Sequence, residues 1–435
     1  MNGLARYIDQ EVKQDNLDEE GPEILQEAME EYWCAMEQMD ELERLFGLSR
    51  GLERLHDTAV EMGGLDSKDN AYLRAGVGLA LEQHGFDPEE TSEWLEVVSQ
   101  EDWGTGGFRQ FIERVWEAIK RTVTQIWMSI RNFFKKVKDS APYLKMQNER
   151  MRARAKEHSS ARVLQKKSII KNGHQHLTTG GSQAKDAKEI LEGLKWLSDL
   201  STAVDVLYLK RLNKFGDKVV DTLRSFDPEY PEASLSKMNE SFKAIDFDAL
   251  VKEAKMSEVK DSRWEKKYVR RSEEAMGNKA LFYLTPAKKV KEDSALVCAE
   301  EIHGTTLRFE DSTDKKAKKK DPQSFKTIEP GEAVEIADAN DVLIDRLASM
   351  SESDRGMDKI RDRLEREGEK LKKVYAKSDE MADSARPYFN SVTKFAATFA
   401  RWTAQPRMNM AKQIISTSRA SVSACNVSFK SYSDS

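Results

Sequence analysis

Apolar residues return every three or four positions along most of this chain, the spacing of one helix face. Over 4–62 the series Tyr7-Ile8, Val12, Ile24-Leu25, Met29, Tyr32-Trp33, Met36, Met39, Leu42 and Leu45-Phe46 alternates with runs of acids, with breaks expected at Gly21-Pro22 and Gly63-Gly64. A short apolar helix is predicted over 69–84 and another over 88–98, the latter capped by Asp87 before Pro88. Residues 102–107 read as a glycine-rich linker, since no strand precedes them and no Lys-Ser/Thr pair ends them as in a P-loop. The most regular pattern covers 108–138. Phe108, Phe111, Ile112, Val115, Trp116, Ile119, Val123, Ile126, Trp127, Ile130, Phe133, Phe134 and Val137 fall on one face, and Arg109, Arg114, Lys120, Arg121, Arg131, Lys135, Lys136 and Lys138 oppose them. Such a helix is about 46 Å long. A basic stretch with few large apolar groups follows at 145–172, and an amphipathic pattern returns over 184–225.

The period changes near residue 280. Ala280–Leu284, Ala295–Cys298, Thr305–Phe309 and Ala333–Ile336 read as short strands, and Lys315–Lys320 as a mobile loop. Helices are expected again at 339–350 and 354–382. A final helix carries Phe389, Val392, Phe395, Phe399 and Trp402 and should kink or break at Pro406, leaving a Ser/Thr-rich basic tail from Ser416. The fold class implied is mainly α: an elongated multi-helix bundle with a small β-rich insert near the C-terminal third. Its segments are an acidic helical front (1–101), a basic helical body (102–262), the insert (263–337) and a C-terminal helical segment (338–435).

Charge sharpens this picture. Residues 1–101 hold 26 acids against 7 bases, and the remainder holds 50 against 63, so a net of −6 conceals about −19 followed by about +13. From Arg109 to Lys171 there are 17 bases and 5 acids. A cationic body behind an acidic front suits association with a polyanion. Three widely spaced cysteines, Cys34, Cys298 and Cys425, fit reduced structural thiols. Neither a signal peptide nor an 18-residue apolar span is read in the sequence.

Catalytic chemistry finds no frame. The six histidines include His174-Gln175-His176, which could chelate from an extended strand, but no third ligand has a workable spacing. No nucleophile elbow, Walker A or kinase set is present. No enzyme, metal or cofactor is expected. The 108–138 helix admits three readings. It can pack its apolar face within its own protein, lie on a membrane surface, or bury that face while Lys and Arg meet phosphates without base specificity. The acidic front is either an ordinary helical domain or a removable segment.

Several stretches resemble a known family in their order along the chain. They are Ala5-Arg6-Tyr7-Ile8-Asp9-Gln10-Glu11-Val12, then Leu52-Glu53-Arg54-Leu55 and Gly63-Gly64-Leu65, then Phe111-Ile112-Glu113-Arg114-Val115-Trp116-Glu117-Ala118-Ile119-Lys120 with Phe133-Phe134-Lys135-Lys136. Over about residues 1–140 this resembles the internal head proteins of large tailed bacteriophages, giant myoviruses especially. The resemblance implies a place inside the phage head, and the host cytoplasm during assembly. It implies packaged DNA, other head or scaffold proteins and further copies of the chain as partners, and removal of an acidic propeptide by a prohead protease that favours a small residue, any residue, then Glu. Ser99-Gln100-Glu101, at the charge break, fits that signal; Thr91-Ser92-Glu93 fits less well, and Ala28-Met29-Glu30 also fits. A net of about +13 over the remainder is mild for a DNA condenser. The alternative reading is a membrane-active protein delivered into the host with the genome, for which a membrane surface would be the partner.

Overall fold

The computed structural model describes residues 21–61, 69–84, 86, 105–227, 229–245, 247–287, 294–313, 322–377 and 386–433. The helix expected at 88–98 and the lysine run at 315–320 lie outside them, as does Ser99-Gln100-Glu101. The chain forms two compact units, one of residues 33–129 and one of 130–435 together with 1–32. Their boundaries fall inside two continuous helices, α1 (Gly21–Glu61) and α3 (Thr105–Glu157).

In the smaller unit, the front half of α3 supplies buried Val115, Ile119, Ile126 and Trp127. The back half of α1 supplies Leu42, Leu45, Leu48 and Leu52, and α2 (Asp69–Gln83) supplies Val77, Ala80 and Leu81. The linker expected at 102–107 is shorter than read, because Thr105, Gly106 and Gly107 already form the first turn of α3. That helix also runs through Pro142 and the basic stretch to Glu157.

The larger unit is mainly helical. After β1 (Lys167–Ile169), a 3-10 turn (His174–Leu177) and the hairpin of β2 (Thr178–Thr179) and β3 (Ser182–Gln183), α4 (Ala187–Thr202) passes through a π-helical stretch (Ala203–Leu209) into α5 (Lys210–Arg224). Next come α6 (Pro231–Lys243) and α7 (Phe247–Glu253). A four-stranded antiparallel sheet follows, in the order β4 (Ser257–Val259), β5 (Lys267–Arg271), β6 (Lys279–Pro286) and β7 (Thr306–Asp311), with α8 (Ala295–Gly304) joining the last two strands. One face of β6 carries Ala280, Phe282 and Leu284, packed with Val269 under Val259 and Trp264. β8 (Ser324–Lys326) returns to pair with β1, and α9 (Pro330–Lys377) and α10 (Arg386–Phe429) complete the unit.

Four expectations change. Ala295–Cys298 is the first turn of α8, where the Ser294 hydroxyl caps Val297 N–H, and Ala333–Ile336 lies in the first turns of α9. The sheet begins at Ser257, ahead of the β-like window. α10 neither breaks at Pro406 nor frays at Ser416. It is buried nearly all round, from Val392 through Trp402, Ala411, Thr417 and Ser421 to Phe429, against α4, α5, α6, α8, α9, β1 and β7. A helix covered on every side is a core element, and its Ala, Ser and Thr residues allow neighbours to approach closely. At Gly216 of α5, an added Cβ would lie 2.6 Å from Phe399 and 2.8 Å from Ile360, so only glycine lets these helices meet.

Candidate nucleic-acid interface

The basic face of α3 meets the acidic face of α9. Arg131 Nε is 3.2 Å from Asp358 Oδ2, and its Nη2 is 3.4 Å from Asp362 Oδ1. Lys145 Nζ is 2.6 Å from Asp345 Oδ1, Asn148 Nδ2 donates to Asp341 Oδ1 at 2.7 Å, and Arg152 Nη2 lies 2.7 Å from Asp338 Oδ1 with Asp341 also in reach. As the number on α3 rises, its partner's on α9 falls in step, the signature of an antiparallel pair. Burial opposes the charge on Arg152, yet the hydrogen bonds to Asp341 and Asp338 outweigh it and raise the pKa. The Lys145 pKa is raised by its hydrogen bond to Asp345. Exposed pairs contribute only about 0–1 kcal/mol each, so the ladder fixes register more than it adds stability.

The first turns of α1 close another part of the same face. Lys136 Nζ sits 3.1 Å from Glu27 Oε2 and 3.7 Å from Glu31 Oε1, and Asn132 donates to Glu31 at 3.2 Å. The Tyr32 hydroxyl donates to Asn409 Oδ1 at 2.8 Å, its ring centroid is 6.1 Å from that of Phe133, and Lys412 Nζ stands 4.9 Å above it.

Two arginines are fully internal among the described residues, Arg361 and Arg407. Arg407 is 0% exposed; its Nε donates to Asp205 Oδ1 at 3.2 Å and its Nη2 to Ser353 Oγ at 2.7 Å and to Met350 O. Its guanidinium lies 4.5 Å from the Phe134 ring centroid. Asp205 belongs to the π-helical stretch, an element that often marks a special position in a helix, and it also accepts from Ser353 Oγ at 2.9 Å.

The eight cations singled out from the sequence therefore separate. Arg131 and Lys136 are tied to carboxylates. Lys120 is half-buried with a partner of its own. Arg121 and Lys135 are exposed and Lys138 is half-buried; none of the three makes an ion pair among the described residues. Arg109 and Arg114 lie on α3 with side chains outside the description.

A second group of cations lies at and past the end of α3. Backbone bonds stitch three distant segments together there. Leu164 N–H and Gln165 N–H donate to Ser431 O, Ser433 N–H to Arg162 O, Thr327 N–H to Lys166 O, and β1 pairs with β8. Lys156, Arg162, Lys166, Lys167, Lys171 and Lys430 are all exposed, and none of their side chains has a hydrogen bond or ion pair among the described residues. Lys167 stands directly opposite Lys326 across β1 and β8. Only Lys326 has carboxylates, Glu329 at 3.4 Å and Glu332 at 3.8 Å, and they raise its pKa, Glu332 most. Like charges opposed in a ladder repel, so this end holds uncompensated positive charge. Lys326 and Lys430 are more than 150 residues from the 156–171 run, and only the β pairing and the end of α10 bring them in.

His174 and His176 lie in the 3-10 turn against α10, and the described residues contain no group of three metal-binding side chains. Burial, and then Lys412, Lys279, Arg419 and His174, push the His176 pKa down to about 4. Burial raises the Cys425 thiol pKa. No described helix is long and apolar enough to cross a membrane.

Helical body, small sheet and cationic end leave the family to be decided by comparison. A model of the phiKZ-like phage internal head proteins matches residues 10–427. The chain belongs to that family. The match extends well past the first 140 residues and takes in the sheet and most of α10. Comparison with curated proteins and with solved structures gives no match. As an internal head protein, the chain has a structural role in the interior of the phage head.

Proposed function

We propose that this internal head protein lies against packaged DNA by phosphate contact, without base readout, and that a prohead protease cuts it after Glu101. The observation supporting the DNA contact is the group of six exposed cations, unpaired among the described residues, at Lys156, Arg162, Lys166, Lys167, Lys171 and Lys430. Phosphate contacts release counterions, so about five of them give a fall of log K with log salt of about −4 to −5 and a non-specific Kd of roughly 10–100 μM near physiological salt. The test is anisotropy on two unrelated duplexes over a range of salt. Equal affinities and that slope support the reading; a flat salt dependence, or a strong preference for one duplex, overturns it.

Support for cutting is the charge change at Ser99-Gln100-Glu101. Mass spectrometry of purified particles should find an N-terminus at Asp102, lost in Glu101→Ala. Other head proteins and further copies of the chain are the remaining proposed partners. The membrane alternative lacks comparable support, because Val115, Ile119, Ile126, Ile130, Phe133, Phe134 and Val137 of the amphipathic helix are buried.

A further inference from the structure

We infer that the cationic end formed by 156–171 and Lys430 docks the acidic front of a second copy of this chain while the front is still attached. The inference rests on the phosphate reading of the same surface, and it adds a regulator to it.

Three observations lead here. Among the described residues the free cations have no carboxylate partner: the acids of 21–32 reach Lys136 and Asn132, while Lys156, Arg162, Lys166, Lys167, Lys171 and Lys430 pair with none. Charge complementarity is large, since 1–101 carries 26 acids against 7 bases, while the only acid in 156–171 is Glu157. The front also presents its charge in order. Glu23, Glu30 and Glu37 are exposed and Glu41 half-exposed on α1, at spacings of seven, seven and four that keep them on one helix stripe.

Such a contact joins unlike surfaces, front to end, so it need not close and grows with concentration. Its attraction is between exposed groups and is screened by salt. Loss of 1–101 removes the occupant and leaves the cations to phosphate. Self-association before the cut and DNA contact after it then use one surface in turn.

Sedimentation velocity of the full chain tests this, at about 50 mM and about 500 mM salt, where the Debye length falls to about 4 Å. The expected result is a sedimentation coefficient that rises with concentration at low salt only. Lys166→Glu, Lys167→Glu and Lys171→Glu together should leave monomers, as should Glu30→Lys, Glu37→Lys and Glu41→Lys together. Mixing the two variants should restore association. A full chain that stays monomeric at low salt overturns the inference, and so does association that the lysine reversals leave unchanged. Should the glutamate variant fail to fold, the lysine variant and the salt series still decide. The duplex titration separates the two readings. A lysine variant that loses DNA binding, beside a monomeric parent, defeats the docking and keeps the phosphate contact. Reversal-sensitive association without DNA binding does the opposite.

Discussion

Residues 131–152 and 156–171 are two parts of one basic run, and the protein treats them differently. In the first, Arg131, Lys136, Lys145 and Arg152 each meet a carboxylate of α1 or α9. In the second, Lys156, Arg162, Lys166, Lys167 and Lys171 meet none among the described residues. Sequence charge is equal in kind; available charge is not. A polyanion sees what the fold leaves over, and here the larger group of it lies at and beyond the end of the helix with the most regular pattern.

The contrast can be broken most severely from inside. Asp205→Ala would leave Arg407 charged, buried and without its carboxylate, which should cost about 3–5 kcal/mol in a denaturant melt. Duplex affinity measured where the variant is still folded should not change. A loss below about 1 kcal/mol would mean that the remaining partners of Arg407 satisfy it without Asp205.

His176 sits near Lys412, Lys279 and Arg419. The folded chain protonates it at about 4 and an unfolded chain near 6.5, so the unfolded state binds more protons in between. Its contribution to stability is full above pH 6.5 and declines as pH falls toward 4, by up to about 3 kcal/mol. Melts for the parent and His176→Gln should run parallel above about pH 6.5 and separate as pH falls toward 4, the parent losing more. Curves parallel throughout would show that the ring takes up its proton without penalty.

Arg152→Ala breaks the ladder at its most connected point, where Asp338, Asp341 and Glu149 converge. The expected loss is about 1 kcal/mol, reduced by salt, with no change in the slope of DNA binding against salt. A fall in that slope would place the ladder, too, at the phosphate surface.

The smallest effect on stability belongs to the free end. Lys166→Glu, Lys167→Glu and Lys171→Glu together should move the melting free energy by no more than about 0.5 kcal/mol. The same variant should lower the salt slope by about 3 and weaken duplex binding more than tenfold. Destabilisation with unchanged binding would invert the comparison.

Much of the helical content was legible because large apolar residues mark their face: 108–138 and all but the last residue of 69–84 lie in helices, Ala280–Leu284 is a strand, and Thr305–Phe309 is one from Thr306 onward. The second half of α10 was not legible. Thr417, Ala420, Ser421, Ala424 and Ser428 are buried because they are small, and small residues give the pattern little contrast. Asn340 and Ser421 exchange hydrogen bonds in that packing, a pairing no local window contains. β4 escaped for another reason: Ser257 and Glu258 are exposed and Val259 only half-buried, so no alternation shows. At the candidate interface the residue types were readable and their pairing was not. Arg131 and Arg121 look alike in sequence, and what separates them is Asp358, more than 200 positions away.

The burial of α10 has a consequence in time. Helices α4, α5, α6, α8 and α9 and strands β1 and β7 are packed around a segment that the ribosome makes after all of them. At about 5–20 residues per second, the interval from the start of α9 to the end of α10 is roughly 5–20 s. During it, Phe215, Leu343 and Leu347 are out of the exit tunnel or nearing it with no core to join. A nonsense codon early in Arg386–Phe429 would therefore remove the axis on which the larger unit is assembled, rather than trim its edge.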